Sequence, residues 1–267
     1  MKSIIKRILP KPVLDVVARR LGYGMTSIDL SLVNLIRQKD LHYLSNSQLL
    51  ERELLPQLGL NNELSYEFPE ELYPFCGHGL CSWQYPNQFS KYLVQLSKFE
   101  INTYLEIGVR HGGTFVITVE YLERFHPLES AIGVDIVCCP SLIKYKKRNP
   151  KIDFLQVDSQ SAQFKEFVRS YPGFDLVFID GSHEETACKN DFETVKGKAN
   201  IIVLHDIVDN PSPGVVRVWN QLRAMYADEY QFFEYTDQYK SVGKRRPGQT
   251  FMGIGMAVRK EYAMRHH

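Results

Sequence analysis

The chain has 267 residues, of which 44% are hydrophobic and 24% charged, so it is long enough for one large domain around a sizeable core. No run of residues is apolar enough to cross a bilayer, and the formal net charge of +1 gives no overall attraction to nucleic acid. We therefore expect a soluble globular protein with no nucleic-acid partner. Five cysteines are an odd number in a chain of this size, which favours a reduced, cytoplasmic setting.

The first hundred residues show helical patterns separated by irregular segments. Examples are LSLVNLIRQKDLHYL and NQFSKYLVQLSKF, and we predict that residues 1–100 form a helical cap on the domain that follows. Residues 1–20 are rich in Lys and Arg with apolar residues between them. That segment is either a solvated helix with one face on the domain or a peripheral contact with an anionic membrane surface.

From about residue 102 onward, short apolar runs alternate with helical patterns. The runs lack polar alternation, as strands covered on both faces do, and this indicates an α/β fold with a doubly wound, mostly parallel sheet. The predicted strands are TYLEIGV, AIGVDI, IDFLQVD, FDLVFID and IIVLHDI, and the predicted helices are 113–125, 140–147, 161–171, 184–197 and 214–227. Two further runs, YQFFEYTD and TFMGIGMAVRK, are joined by a basic loop with no predicted helix, so we expect a closing antiparallel hairpin.

Acidic residues stand at the carboxyl ends of all five predicted parallel strands. Ligands bind outside the carboxyl ends of the strands in open α/β sheets, so this edge is the candidate site. A helix N-cap explains any single acid at such a position, but a cap can equally be Ser, Thr or Asn. The five are Glu106, Asp135, Asp158, Asp180 and Asp206.

The first strand leads into a glycine-rich turn in the sequence LEIGVRHGGT. Gly108 and Gly112 allow tight turns and close approach of a ligand, and the helix behind them presents free N–H groups. The spacing is not the GxGxxG of dinucleotide folds, and Asp135 follows Gly108 by 27 residues rather than by about 20. The Asp135 carboxylate still suits a ribose diol. The motif therefore favours a nucleoside-type ligand over a turn kept only for packing.

Several ordered motifs together resemble the class I S-adenosylmethionine-dependent methyltransferases: LEIGVRHGGT, GVDI, VDSQ, FIDGSH and the closing hairpin. FIDGSH, LHDI and PGVVRVWNQL are similar to the macrocin and mycinamicin sugar O-methyltransferases and to the proteins called cephalosporin hydroxylases. The resemblance implies a Rossmann-like sheet of strand order 3-2-1-4-5-7-6 within residues 101–267. It also implies S-adenosylmethionine as cofactor and metal-assisted transfer of a methyl group to a sugar hydroxyl of a glycoside, polysaccharide or natural product.

By the same resemblance, the cofactor residues can be named. The methionine part would lie at Glu106, Gly108 and Gly112, the ribose hydroxyls at Asp135, and the adenine edge at Asp158, Ser159 and Gln160.

The sequence FIDGSH raises the question of how a hydroxyl would be activated. A cation held by carboxylates lowers the pKa of a bound hydroxyl, and a neighbouring imidazole can take the proton. Asp180 and Asp206 end two strands that we expect to be neighbours, so they are the predicted ligands of a divalent cation, Mg²⁺ or Mn²⁺, with His183 as base. The alternative is that both aspartates cap helices or loops and that His183 is idle.

His205 departs from the mycinamicin-type pattern, in which an acidic residue stands at this position. Mg²⁺ prefers oxygen ligands, so His205 suits Mn²⁺, Fe²⁺ or Zn²⁺ better. It is either the third ligand or a silent structural residue, and water, Asp209 or the substrate are the other candidate ligands.

Two other functions stay open on the sequence alone. One is an oxidoreductase or hydroxylase on the same fold, and the other is a non-catalytic binding protein that retains the fold. For the enzyme, the expected partner is a small-molecule or saccharide acceptor, with homo-oligomer formation as a further expectation.

Overall fold

The computed structural model describes residues 28–63 and 67–265 of the chain. The predicted membrane contact through residues 1–20 lies outside these ranges. Within them, no helix combines the length and the apolar character that crossing a membrane requires.

The described part of the N-terminal region consists of short helices. The predicted helical run 30–44 is interrupted because Asp40 starts a new helix, its carboxylate accepting a hydrogen bond of 2.7 Å from the backbone N–H of Tyr43. The α-helices are α1 (Val33–Arg37), α2 (Leu41–Leu44), α3 (Ser47–Leu49) and α4 (Leu55–Leu58), with 3-10 turns at Leu30–Leu32 and Glu70–Phe75 and a π turn at Leu50–Leu54.

Seven strands form one sheet in the order β3-β2-β1-β4-β5-β7-β6. The first five strands are parallel, and β7 is antiparallel to both β5 and β6. This confirms the predicted α/β Rossmann-like fold and its closing hairpin. The strands are β1 (Thr103–Ile107), β2 (Ser130–Asp135), β3 (Ile152–Gln156), β4 (Phe174–Ile179), β5 (Ala199–His205), β6 (Tyr230–Tyr235) and β7 (Ile254–Arg259).

Helices cover both faces of the sheet. In β4, Leu176 and Phe178 pack into one hydrophobic cluster and Val177 and Ile179 into the other, because successive side chains point to opposite faces. Leu44 and other N-terminal leucines belong to the first cluster, so the described N-terminal region shares its core with the sheet. The helices are α5 (Pro86–Leu96), α6 (Gly113–Leu122), α7 (Pro140–Lys146), α8 (Ala162–Ser170), α9 (Glu185–Val195) and α10 (Pro213–Met225).

The connection between β6 and β7 differs from the prediction, which placed no helix there. It contains α11 (Lys240–Arg245), and a last helix, α12 (Lys260–Ala263), follows β7. Val242 is buried in a small third cluster beside Phe251, and Arg245 donates a hydrogen bond of 2.6 Å to the Tyr73 hydroxyl. These tertiary contacts stabilise the short helix α11, although its basic residues and Gly243 suggested a loop.

Candidate active site

The carboxyl ends of the strands surround one cavity of about 1080 Å³. This volume is slightly above the range of about 300–1000 Å³ that is usual for ligand pockets. Gly112 does not line the cavity; it caps α6 behind it. The other predicted site residues do line it: Glu106, Gly108, Asp135, Asp158, Ser159, Gln160, Asp180, His183, His205 and Asp206.

The glycine-rich turn packs tightly against the end of β4. Gly108 has φ +91°, and a Cβ atom there would lie 2.0 Å from the carbonyl oxygen of Asp180. The backbone N–H of Asp180 also donates a hydrogen bond of 2.8 Å to the carbonyl of Ile107. Glycine is thus required at position 108 by contact with a neighbouring strand, in addition to any approach of a ligand.

Asp135 holds the same turn from the other side. Its carboxylate accepts hydrogen bonds from the backbone N–H groups of Arg110, at 2.8 Å, and Val137, at 2.9 Å. Since each carboxylate oxygen can accept more than one hydrogen bond, both keep acceptor capacity toward the cavity.

Glu106 is buried, with 1% of its surface exposed. Burial raises the pKa of its carboxyl to about 8, against the opposing effect of a hydrogen bond from the Tyr104 hydroxyl. The charge of Asp180 adds to the rise. Glu106 is therefore mainly protonated at neutral pH in the absence of a ligand.

The segment after β3 is fixed by hydrogen bonds that the sequence did not reveal. The Asp158 carboxylate accepts from the backbone N–H of Gln160 at 2.8 Å. The Gln160 side chain donates to Asp191 at 2.7 Å and to the carbonyl of Ala187 at 3.2 Å, both in α9. Gln160 thus anchors this segment to α9.

Asp180 and Asp206 meet at the ends of the neighbouring strands β4 and β5. His205 Nδ1 lies 3.3 Å from Asp180 Oδ1 and 3.1 Å from Asp206 Oδ1. Burial by itself would raise the pKa of Asp180, but His205 and His183 outweigh it and lower that pKa to about 2. Burial disfavours the charged form of His205, yet Asp206 and Asp180 raise its pKa well above the ordinary value.

The turn that carries Asp206 is supported by the closing hairpin. Asp206 has φ +63°, in the left-handed region that non-glycine residues seldom adopt. The next two residues, Ile207 and Val208, donate backbone hydrogen bonds of 3.3 and 3.1 Å to Gly253 and Met252, just before β7. The Asp209 carboxylate accepts from the backbone N–H of Met252 at 3.1 Å, so it already serves this turn.

His183 stands beside the two aspartates, as its position three residues after Asp180 predicts. Its Nε2 atom lies 3.1 Å from Asp206 Oδ2 and 3.9 Å from Asp180 Oδ1. Its Nδ1 atom lies 3.0 Å from the hydroxyl oxygen of Ser212. Asp180 and Asp206 raise the pKa of His183, while burial opposes them. The side chain remains 48% exposed.

The donor set of this cluster fits a divalent cation that accepts nitrogen. One ligand atom each from Asp180, His205 and Asp206 lies within 4.8 Å of the other two. His205 Nε2 is buried and has no hydrogen-bond partner among the described residues. The His205 ring therefore lacks the outer hydrogen bond that usually orients a metal-ligating histidine.

The cavity also contains residues that we did not predict from the sequence. These residues are Arg110, His111, Glu63 and Ser212. Arg110 and His111 lie within the glycine-rich motif, which was the available signal, whereas Glu63 comes from the distant N-terminal region.

A comparison with family models finds a match in the central part of the chain. Residues 105–207, which span β1 to β5, match the family model of a methyltransferase domain, Methyltransf_24. No curated protein matches the sequence.

Among solved structures, an O-methyltransferase from Bacillus cereus in complex with SAH is 12% identical, with a TM-score of 0.48 over 91% of this chain and 97% of that chain. A putative O-methyltransferase from Klebsiella pneumoniae is 15% identical, with a TM-score of 0.48 over 67% and 81%. The MycE methyltransferase of the mycinamycin pathway, in complex with Mg and SAH, is 20% identical, with a TM-score of 0.43 over 68% and 51%.

The family match covers the glycine-rich turn and the Asp180, His183 and Asp206 cluster. Residues 105–207 are therefore similar to a methyltransferase domain, and they lie within the sheet described above.

Proposed function

We propose that the protein is an O-methyltransferase that methylates a hydroxyl of a saccharide-type acceptor with the assistance of a divalent cation. The observation that carries the proposal is the shared cavity: Asp135 and Gly108 line it together with His183 and Asp206. A nucleoside cofactor and a metal-activated hydroxyl would therefore meet in one space.

The cofactor would occupy the side formed by β1, β2 and β3, where it supplies an electrophilic methyl group. Asp135 accepts hydrogen bonds from the ribose hydroxyls with the capacity that its two backbone contacts leave. Asp158 and Ser159 adjoin the adenine edge, with Gln160 bracing them through α9. Glu106 contributes a buried, hydrogen-bonding carboxyl group near the methionine part.

The acceptor hydroxyl would bind over β4 and β5 and lose its proton to His183. A hydroxyl is a poor nucleophile near neutral pH, so a base within hydrogen-bond reach is required. His183 is half exposed to the cavity and stands beside the carboxylates, and Ser212 at Nδ1 orients its ring. A proton from a hydroxyl held at the cluster passes to His183 Nε2.

Asp180, Asp206 and His205 would hold the cation. When bound there, it lowers the pKa of a coordinated hydroxyl and so complements the base. Because one donor is an imidazole nitrogen, we favour Mn²⁺ over Mg²⁺.

The acceptor class is inferred from the cavity wall. Asn61, Glu67, Asp209 and Ser212 are buried polar residues that line the cavity, and they suit an acceptor with several hydroxyl groups. Some of this wall comes from the N-terminal region, so we propose that residues 1–100 act as a cap that completes the acceptor pocket of the domain at 101–267.

The test combines binding and turnover. We expect S-adenosylhomocysteine to bind saturably in a calorimetric titration, and glycosides or sugar nucleotides incubated with S-adenosylmethionine to gain one methyl group by mass spectrometry. Asp180→Asn should lose Mn²⁺ binding and methyl transfer but keep S-adenosylhomocysteine affinity within about twofold. Asp153→Asn, whose exposed partner is Lys146, is the matched control.

Two outcomes would contradict the proposal in different places. Absence of saturable S-adenosylhomocysteine binding would remove the cofactor assignment. Wild-type turnover by Asp180→Asn would remove the role of the cation while leaving a methyltransferase.

A further inference from the structure

The carboxylate of Glu63 lies in the cavity wall beside the glycine-rich turn. His111 Nε2 lies 2.8 Å from Glu63 Oε1, and Arg110 donates a hydrogen bond from Nη2 to Glu63 Oε2. The Arg110 guanidinium lies 5.0 Å from the ring centroid of Trp83. All four residues line the cavity. Arg110 and His111, which belong to one turn, therefore hold the carboxylate of Glu63, which lies 47 residues before Arg110 and 48 before His111 in the chain.

The turn that presents these donors has an unusual backbone. Arg110 has φ +44°, in the left-handed region, and its backbone N–H is held by Asp135. A non-glycine residue persists in this conformation only where the surroundings enforce it, and such positions cluster at ligand sites. Here the conformation places the Arg110 and His111 side chains in the same cavity as Gly108.

The two donors have more hydrogen-bonding capacity than Glu63 uses. His111 is 4% exposed, and its Nδ1 atom is buried with no partner in the described part of the chain. Arg110 Nε is likewise buried and, within the same ranges, lacks a hydrogen-bond partner. Buried polar groups in native proteins are normally satisfied, so the unpaired N–H donor at Arg110 Nε points to a further acceptor that binds here.

We propose that Arg110 and His111 form the subsite for the carboxylate of the cofactor's amino acid part, and that Glu63 occupies it until the cofactor displaces it. This inference rests on the proposed placement of the cofactor. The Glu63 carboxylate and the ligand carboxylate have the same charge and geometry, so they compete for the same donors.

Glu63 is ionised throughout the physiological range. Its hydrogen bond with His111 and, against burial, that with Arg110 lower its pKa to about 2. It therefore competes at every pH at which the enzyme works, and the cofactor must break this contact in order to bind.

The test measures dissociation constants of the full chain for two probes by calorimetry. One probe is S-adenosylhomocysteine, and the other is S-adenosyl-3-thiopropylamine, which keeps the amine but lacks the carboxylate. Glu63→Gln should tighten S-adenosylhomocysteine binding by about threefold to tenfold and leave the second probe unchanged. Arg110→Gln should weaken S-adenosylhomocysteine binding by about tenfold, again without effect on the second probe.

Two further variants serve as controls. Glu123→Gln removes an ion pair with Lys151 away from the cavity and should alter neither affinity. Arg110→Lys, which keeps the charge, should restore part of the S-adenosylhomocysteine affinity lost in Arg110→Gln.

Weaker or unchanged S-adenosylhomocysteine binding by Glu63→Gln would overturn the inference, because Glu63 would then position Arg110 or bind the cofactor's ammonium group. Equal weakening of both probes by Arg110→Gln would also overturn it. Binding of the carboxylate-free probe to the wild-type chain reports the nucleoside site independently. If neither probe binds, the proposed function fails together with the inference.

Discussion

Gly108 contacts Asp180, and this contact joins the glycine-rich turn to the proposed cation site. The variant Gly108→Ala tests the importance of the contact. A Cβ atom at position 108 would lie 2.0 Å from the Asp180 carbonyl oxygen and 2.7 Å from the Cα atom of Gly181. Ordinary contact begins at 3.4 Å, so the Asp180 backbone would have to move by 3.4 − 2.0, or about 1.4 Å. The hydrogen bond between the Asp180 N–H and Ile107 opposes that movement.

The expected cost of Gly108→Ala has two parts. Alanine at φ +91° costs about 1–2 kcal/mol, because its Cβ approaches the following carbonyl. Displacement of packed backbone adds about 1–2 kcal/mol, so the free energy of unfolding should fall by about 2–4 kcal/mol. For a chain of this size the melting temperature should drop by about 5–15 °C.

The assay combines thermal unfolding with calorimetric titration of S-adenosylhomocysteine and Mn²⁺. Because the displaced backbone carries Asp180, we expect both affinities to fall together. Gly197→Ala is the matched control, since a Cβ atom there meets nothing within 4 Å. A Gly108→Ala variant with wild-type melting and both affinities intact would refute the packing argument.

Three further predictions concern single side chains. The folded protein favours the protonated form of Glu106, because burial raises the pKa of its carboxyl group to about 8. The contribution of Glu106 to stability is therefore present below pH 4.5 and is lost as the pH rises through about 8. We expect Glu106→Gln to flatten the pH dependence of denaturant unfolding and to be more stable than the wild type above pH 8. His183→Asn should lower turnover by about 100-fold to 10,000-fold with unchanged S-adenosylhomocysteine affinity, and a loss below about tenfold would exclude it as the base. Asp175 accepts hydrogen bonds of 2.9–3.1 Å from Asn102, Thr103 and Asn200 outside the cavity. Asp175→Ala should lower stability by about 2–4 kcal/mol in denaturant unfolding yet spare cofactor affinity, and a parallel loss of affinity would show that the two ends of the sheet are coupled.

The sheet could be predicted from the sequence because its strands are covered on both faces. In the run FDLVFID the four residues from Leu176 to Ile179 are all apolar and buried, and the structure has β4 at Phe174–Ile179 within that run. The acidic strand ends were predictable for the related reason that parallel strands end at one edge of the sheet. Their assembly around one cavity follows from the strand order.

Long-range contacts could not be predicted in the same way. Glu63 reaches Arg110 across 47 residues, and nothing in its local sequence distinguishes it from a solvated glutamate. The Gln160 contact with Asp191 depends on how α9 packs, and α11 depends on the burial of Val242. In each case tertiary packing determines what local propensity leaves undetermined.

The position of β7 between β5 and β6 has a consequence for the order in which the molecule assembles. Strand β6 comes before β7 in the chain, but its pairing partner in the sheet is β7, so its strand pairing forms only after the later strand has emerged from the ribosome. The same late segment supplies Met252 and Gly253, which support the turn after Asp206. A chain without this segment would lack the backbone partners of the turn after Asp206, so the proposed cation site depends on the last part of the described chain.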